Sequence, residues 1–158
     1  LGNRSMIELT DSLKARIRSH EGVRTSMYLD SLGKATIGIG HLIQPHEREK
    51  FSEGVEISME LVEELFDLDL NRAAAGAEVL IEECVGHDLP EHITEVILEM
   101  VFQLGTQGVR NFKKMWKAMR VKDWQKAAAE MKDSRWHSQT TKRCEHLAEI
   151  VANTAKLA

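Results

Sequence analysis

The sequence predicts a mainly helical α+β protein built as two lobes joined by a helix. Helix-forming residues dominate after residue 57, whereas the preceding segment carries short β-favouring runs separated by glycines. At 158 residues the chain is long enough for one sizeable core, and it contains no internal repeat or low-complexity linker. We therefore expect a single domain over residues 1–158, with lobes at about 12–57 and 82–158 and a connecting helix at about 58–81.

The first lobe is predicted to be a helix followed by a β-hairpin. Thr10 or Asp11 is a suitable N-cap, and Gly22 is typical of a helix end. Residues 27–29 and 35–39 favour strands, and the Asp-Ser-Leu-Gly sequence between them favours a tight turn. A hairpin of this size is stable only when it packs on another element, so we expect it to pack on the helix.

Beyond residue 57 the pattern is helical to the end of the chain. Ser58 opens the connecting helix, whose apolar positions recur at helical spacing: Leu61, Leu65, Leu68 and Ala75. Pro90 lies in the first turn of the next helix, which ends near Gly105 and is apolar almost all round, as expected for the centre of the second lobe. Three further helices are predicted: around 112–119, after Asp123, and from Thr140 or Thr141.

The charge is distributed unevenly along the chain. The net charge is −4, but residues 1–109 carry −11 and residues 110–158 carry +7. The basic part could attract a polyanion such as peptidoglycan or nucleic acid, or it could complement the acidic part. No recognisable nucleic-acid-binding motif accompanies it, and no apolar run approaches the roughly 20 residues of a membrane span. Neither nucleic acid nor membrane insertion is therefore expected.

Cysteine and histidine usage gives little support to metal or redox chemistry. Cys84 and Cys144 fit no such spacing, and both a disulfide and two free thiols stay open. The seven histidines include no His-Glu-x-x-His, so a metal enzyme is not favoured. The chain begins without an initiator Met or a signal-peptide layout, which predicts a piece of a longer protein.

Two carboxylates lie on neighbouring predicted elements. Glu21 ends the first helix, and Asp30 follows nine residues later at the mouth of the turn. Cleavage of a glycosidic bond requires one carboxyl kept protonated and one kept ionised, which different local environments can provide. Thr36 could face Asp30 across the hairpin, where a carboxylate and a hydroxyl can hold a water. Taken singly, a solvated helix-end glutamate and a turn-capping aspartate are ordinary interpretations.

The joint spacing of these residues resembles the T-even phage lysozymes (glycoside hydrolase family 24). Three blocks carry the resemblance, in the family's order over about residues 13 to 145. The first is Glu21-Gly22, Tyr28, Asp30, Gly33 and Thr36-Ile37-Gly38-Ile39-Gly40-His41-Leu42. The others are Met100-Val101-Phe102-Gln103, Gly105, Gly108-Val109 and Phe112, then Ser134-Arg135-Trp136, Gln139-Thr140 and Arg143.

The resemblance implies a lysozyme-like two-lobed fold with a substrate cleft between the lobes. It implies an endo-acting muramidase that hydrolyses the β-1,4 bond between N-acetylmuramic acid and N-acetylglucosamine in bacterial peptidoglycan. Glu21 would protonate the leaving oxygen, and Asp30 with Thr36 would position the attacking water, so that the reaction inverts the anomeric carbon. No metal or organic cofactor is expected, because a carboxyl pair and water suffice.

Five further residues match the family's positions. Leu42, Phe102 and Gln103 match substrate-binding positions, although Phe102 is equally a candidate core residue. His41 matches a supporting position in the first lobe, as a hydrogen-bonding residue. Arg143 matches a position near the general acid, where a cation would hold and tune it.

Some features depart from the family pattern. A serine and an asparagine of the cleft correspond here to Met115 and Glu130, which alters contacts to the glycan or peptide. Free cell-lysing members are strongly basic, whereas this chain is acidic. The acidic balance and the chain start resemble lysozyme domains within tail-associated baseplate hub proteins, which open a local hole in the wall during infection.

A tail-associated domain would lie in the virion tail and act in the host periplasm. Its partners would be peptidoglycan, with other hub domains and a periplasmic inhibitor as candidates. Two alternatives stay open: a free endolysin that passes from the host cytoplasm to the periplasm, and a catalytically silent wall-binding or scaffold module.

Overall fold

A computed structural model describes residues 7–157, and the first residues, on which the prediction of an excised chain rests, lie outside the described residues. Helix α1 (Asp11–Glu21) precedes a sheet of β1 (Arg24–Leu29), β2 (Ala35–Gly38) and β3 (His41–Leu42). A 3-10 turn (Pro45–Glu47) follows, and then come α2 (Met59–Cys84), α3 (Glu91–Arg110), α4 (Lys113–Arg120), α5 (Trp124–Lys132), α6 (Arg135–Gln139), α7 (Thr141–Asn153) and a last 3-10 turn (Thr154–Lys156). The predicted mainly helical α+β class is confirmed.

The chain separates into two compact units whose boundary falls inside α2. One unit is Leu9–Arg72, and the other contains Ile7, Glu8 and the described residues from Ala73 onward. The predicted organisation as one domain with these particular lobe limits stays a prediction.

The Leu9–Arg72 unit begins as the sequence predicts. The Thr10 hydroxyl accepts a hydrogen bond from the Leu13 N–H at 3.2 Å, and Gly22 ends α1 with φ +74°. The hairpin gains a third strand that was not predicted, because the chain turns again at Ile39 and Gly40. Its core is formed by buried apolar side chains of the sheet, the following loop and α2: Ile37, Phe51 and Leu65.

The register of the sheet defines which side chains share a face. Its strands are antiparallel in the order β1-β2-β3, with Tyr28 opposite Thr36 and Thr36 opposite Leu42. Directly opposed residues project to the same side of a sheet, so these three side chains form one row.

Helix α2 starts where the sequence predicts, but its buried face differs in part from the predicted one. The Ser58 hydroxyl accepts from the Leu61 N–H at 3.1 Å, which caps the helix. Leu65 is buried as predicted, but the prediction that Leu68 and Ala75 lie on the buried stripe is wrong, since both are exposed, Leu68 to 62%. The buried stripe is instead set by another series at helical spacing: Val62, Phe66, Leu70, Ala73, Ala77 and Leu80. Leu68 is two residues from Phe66, about 200° around the helix, and therefore points the opposite way.

The second unit is built around α3, as predicted from its apolar composition. Its central side chains are fully buried: Ile93, Val96, Ile97, Leu98 and Met100. Gly105 interrupts the helix with φ +78°, and the chain then continues helically to Arg110. The short helix α6, which begins at the N-cap Ser134, was not predicted. Within residues 7–157, no helix is long and apolar enough to cross a membrane.

Candidate active site

The Glu21 carboxyl lies against the turn that joins β2 to β3. A Cβ atom added to Gly40 would lie 2.4 Å from Oε1 of Glu21 and 2.6 Å from its Cδ. These distances leave no room for a side chain at position 40 unless the Glu21 carboxyl moves. Gly40 also has φ +68°, a conformation that residues other than glycine rarely adopt. The end of α1 and this turn therefore fix the Glu21 side chain from two sides.

Asp30 caps the turn between β1 and β2. Its Oδ1 atom accepts hydrogen bonds from the backbone N–H groups of Leu32 and Lys34, both at 2.9 Å. Its own N–H donates to the Lys34 carbonyl at 2.9 Å. Asp30 therefore caps the turn. The two hydrogen bonds to Oδ1 also fix the orientation of the Asp30 carboxylate.

Thr36 lies on the same face of the sheet as Asp30. Thr36 is opposite Tyr28, and Asp30 follows Tyr28 by two residues, so alternation along the strand brings Asp30 diagonally next to Thr36. The Thr36 side chain is only 3% exposed. Its hydroxyl donates its proton to the Lys34 carbonyl at 2.8 Å, so the oxygen can only accept a further hydrogen bond.

Leu42 belongs to the same row of side chains. It is opposite Thr36 on β3 and is 42% exposed. An exposed apolar side chain beside this row is available for contact with a ligand.

His41 is held between two carboxylates. Its Nδ1 lies 2.8 Å from Oδ2 of Asp69 on α2, and its Nε2 lies 2.9 Å from Oε1 of Glu47 in the 3-10 turn. Burial acts to lower the pKa of His41, but the hydrogen bonds to the two carboxylates outweigh it and raise the pKa above its usual value. For Glu47, burial acts to raise the pKa, but hydrogen bonds from the Gln44 N–H and from His41 lower it.

The two carboxylates around His41 were not identified from the sequence. Asp69 is 28 residues away on a helix rich in acidic residues, where no local pattern distinguishes it. Glu47 is six residues away, and its position three residues after Gln44 in a capping arrangement was the one local signal available.

In the second unit, Gln103 joins two later parts of the chain. Its side-chain oxygen accepts from the Trp136 indole N–H at 2.9 Å, and its amide nitrogen donates to the Thr140 hydroxyl at 3.2 Å. These two hydrogen bonds hold the Gln103 amide in one orientation. Phe102, which precedes Gln103 on α3, is half-buried, and the substrate-binding roles of both residues stay predictions.

Arg143 forms a buried ion pair in the same unit. Its Nε donates to Oε2 of Glu99 at 2.9 Å, and the Glu99 side chain is completely buried. A buried carboxylate of this kind is stable when it is paired, so Glu99 and Arg143 depend on each other. The predicted role of Arg143 beside the general acid stays a prediction.

The second unit also contains a cavity of about 690 Å³. Its lining includes both positions that depart from the family pattern, Met115 and Glu130, together with Phe112, Arg135, Trp136 and Gln139.

Cys84 and Cys144 are free thiols, and burial raises the pKa of Cys144 to about 12. Among residues 7–157, no group of three or more His, Cys, Asp or Glu side chains could hold a metal ion.

Comparison with known proteins shows that the chain is a glycoside hydrolase. The family model described as Phage lysozyme matches residues 18–150, and the chain belongs to the phage lysozyme family. This membership implies peptidoglycan hydrolysis.

Three relatives are similar over most of the chain. "Probable T4-type lysozyme 2" of Dictyostelium discoideum is 33% identical in an alignment that covers 90% of this chain and 94% of the relative. "Probable T4-type lysozyme 1" of the same organism is 32% identical, with coverages of 90% and 95%. "Pre-baseplate central spike protein Gp5" of Enterobacteria phage T4 is 33% identical in an alignment that covers 89% of this chain but 27% of that protein.

Proposed function

We propose that this protein is an inverting, endo-acting muramidase that cleaves the β-1,4 bond between N-acetylmuramic acid and N-acetylglucosamine. Glu21 is the general acid, Asp30 is the general base, and Thr36 positions the water with Asp30. The observation that carries this proposal is that existing hydrogen bonds leave the Thr36 oxygen and Oδ2 of Asp30 as acceptors for a water.

A water between Asp30 and Thr36 can only donate hydrogen bonds to them. The Thr36 proton is used by the Lys34 carbonyl, so the Thr36 oxygen acts as an acceptor. Two backbone N–H groups occupy Oδ1 of Asp30, which leaves Oδ2 as the second acceptor. A water that donates both protons keeps its lone pair for the anomeric carbon. Asp30 then takes one proton as the new C–O bond forms, which is the task of the base in an inverting glycosidase.

Glu21 completes the reaction by protonating the leaving oxygen as the glycosidic C–O bond breaks. Its close contact with Gly40 restricts where the carboxyl can lie, and a fixed proton donor favours catalysis. Inverting enzymes separate the two carboxyl groups by about 6.5–9.5 Å to leave room for the water. We expect a separation in that range for Glu21 and Asp30.

Product analysis on purified peptidoglycan tests both the bond and the stereochemistry. A muramidase leaves muramic acid at each new reducing end, so borohydride reduction should yield muramitol. Proton NMR of the first products should show the α-anomer before mutarotation. Glucosaminitol or an initial β-anomer would refute the assigned bond or the inverting course, respectively.

A matched pair of variants tests the acid. Glu21→Gln should have no detectable turnover, whereas Glu60→Gln, an exposed glutamate at the start of α2, should retain it. Equal activity in the two variants would exclude Glu21 as the general acid. Binding of peptidoglycan without turnover by the wild-type protein would favour the alternative of a silent wall-binding module.

We further propose that the domain acts at the tip of a phage tail, in the host periplasm. The similarity to a central spike protein of a pre-baseplate, in which the matching part is 27% of the length, supports this setting. The acidic net charge of −4 also supports it over a strongly basic free endolysin. The partners would then be other tail hub domains, with a periplasmic inhibitor as a further candidate.

The reading frame that contains this sequence distinguishes the two settings. Continuity with another structural domain would support the tail protein. An initiator Met immediately upstream and a stop codon immediately downstream would refute it in favour of a free lysozyme.

A further inference from the structure

We propose that Tyr28 is a positioning residue, whose phenol provides a neutral hydrogen-bond donor between the carboxyl groups of Glu21 and Asp30. This inference rests on the proposed function, because it assigns Tyr28 to the same reaction. Tyr28 is the one tyrosine in the chain.

The sheet places Tyr28 beside Thr36 and close to Asp30. It is directly opposite Thr36, and Asp30 follows it by two residues on the same face. Its ring is half-buried and lies under the guanidinium of Arg24, with the Arg24 Cζ atom 4.9 Å from the ring centroid. A cation stacked on the ring restrains the phenol without using its hydroxyl.

The charges of both carboxyl groups also act on the phenol. Burial raises the pKa of Tyr28, the negative charge of Glu21 raises it further, and that of Asp30 adds to the effect, while Arg24 opposes it. A tyrosine with a raised pKa stays neutral throughout the pH range in which a carboxyl pair works. It can therefore donate a proton in a hydrogen bond without adding a charge that would disturb the pair.

The hydroxyl of Tyr28 has spare hydrogen-bonding capacity. Among residues 7–157, no protein group forms a hydrogen bond with it. When Glu21 gives its proton to the leaving oxygen, a new carboxylate forms near Asp30. A phenol O–H beside these groups can then donate to the new carboxylate and stabilise it, because hydrogen bonds to the charged form favour that form.

The single tyrosine allows the arrangement to be tested without turnover. Its ionisation can be followed by absorbance at alkaline pH, because the three tryptophans do not ionise. The pKa of Tyr28 should fall in Glu21→Gln and in Asp30→Asn, and it should rise in Arg24→Gln. The Tyr28 pKa should be unchanged in Glu60→Gln, which removes an exposed carboxylate that is not among the groups acting on Tyr28. Circular dichroism at each pH ensures that only folded protein is compared.

Kinetics of Tyr28→Phe test the role of the hydroxyl. This variant keeps the ring and its contact with Arg24 but removes the O–H. We expect kcat to fall about tenfold at unchanged KM, as for the loss of one hydrogen bond to a charged group. We also expect the pH profile of kcat to shift to higher pH, because ionised Glu21 loses a donor. A purely structural role would change the thermal midpoint but not this profile.

Two results would overturn the inference. One is a Tyr28 pKa that does not change in either Glu21→Gln or Asp30→Asn. The other is a Tyr28→Phe enzyme with the wild-type pH profile and kcat. A failure of the proposed function would be seen separately, as absence of peptidoglycan turnover by the wild-type protein.

Discussion

Replacing Gly40 with alanine should displace the Glu21 carboxyl while the chain stays folded. The new Cβ would lie 2.4 Å from Oε1 and 2.6 Å from Cδ of Glu21, much closer than any real contact. The carboxyl sits at the end of α1 and is half-exposed, so it can swing away by roughly one ångström or more instead of unfolding the chain. A displacement of that size costs about 100-fold in rate when a reacting group is misplaced.

The backbone contributes a second, separable effect. Gly40 has φ +68°, and alanine in this region costs about 1–2 kcal/mol. For a domain of this size, that loss lowers the thermal midpoint by roughly 2–8 °C. A loss of activity in Gly40→Ala could therefore come from strain alone, and a control is needed.

Gly54 provides the matched control. It has φ +84°, and a Cβ at this position would meet nothing within 4 Å. Gly54→Ala should lower the midpoint about as much as Gly40→Ala but keep wild-type kcat, measured on purified peptidoglycan at a temperature where both variants are folded. If Gly40→Ala keeps full activity, or if both variants lose it equally, Gly40 does not set the position of Glu21.

Three further predictions follow from the site. Glu21→Gln should abolish hydrolysis and leave the thermal midpoint equal or higher, because active-site residues are often held at a cost in stability; a clearly lower midpoint would contradict this. Thr36→Val removes the acceptor oxygen, so kcat should fall about 100-fold with unchanged KM, whereas Thr36→Ser should keep most of the activity. Equal kcat values for the two variants would show that the Thr36 hydroxyl does not position the water. The pKa of His41 is raised on folding, so the stability it contributes is full below its usual value of about 6.5 and is lost as pH rises through the raised value. Thermal midpoints from pH 6 to 10 should show this loss, and in Glu47→Gln the loss should be smaller and should end at lower pH; coincident curves would refute it.

Local signals in the sequence were sufficient to predict helix α1 and the first hairpin, which carry Glu21, Asp30 and Thr36. The cap at Thr10, the end at Gly22 and the Asp30 turn each depend on residues within four positions of one another. Such short-range patterns carry their own physical cause, so helix α1 and the first hairpin could be predicted from them.

Contacts between distant residues could not be predicted in this way. Nothing near Gly40 in the sequence indicates that its missing side chain makes room for Glu21, and nothing near His41 indicates Asp69. The buried face of α2 was also predicted wrongly at Leu68 and Ala75, because the spacing of the apolar residues allows more than one face of the helix to be buried and only packing selects it. The assignment of Glu21, Asp30 and Thr36 to the chemistry depended on their joint spacing, since each residue alone has an ordinary explanation.

The double use of Asp30 makes the length of its loop critical. Most surface turns accept insertions easily, because extra residues cost little closure entropy. Here the backbone N–H groups of Leu32 and Lys34 donate hydrogen bonds to Oδ1 of Asp30, whose carboxylate we propose as the base, and the Lys34 carbonyl accepts a hydrogen bond from the Thr36 hydroxyl. One added residue between positions 31 and 34 would leave a folded hairpin with a misdirected base. Homologues that vary in this loop should therefore have changed their catalytic apparatus as well.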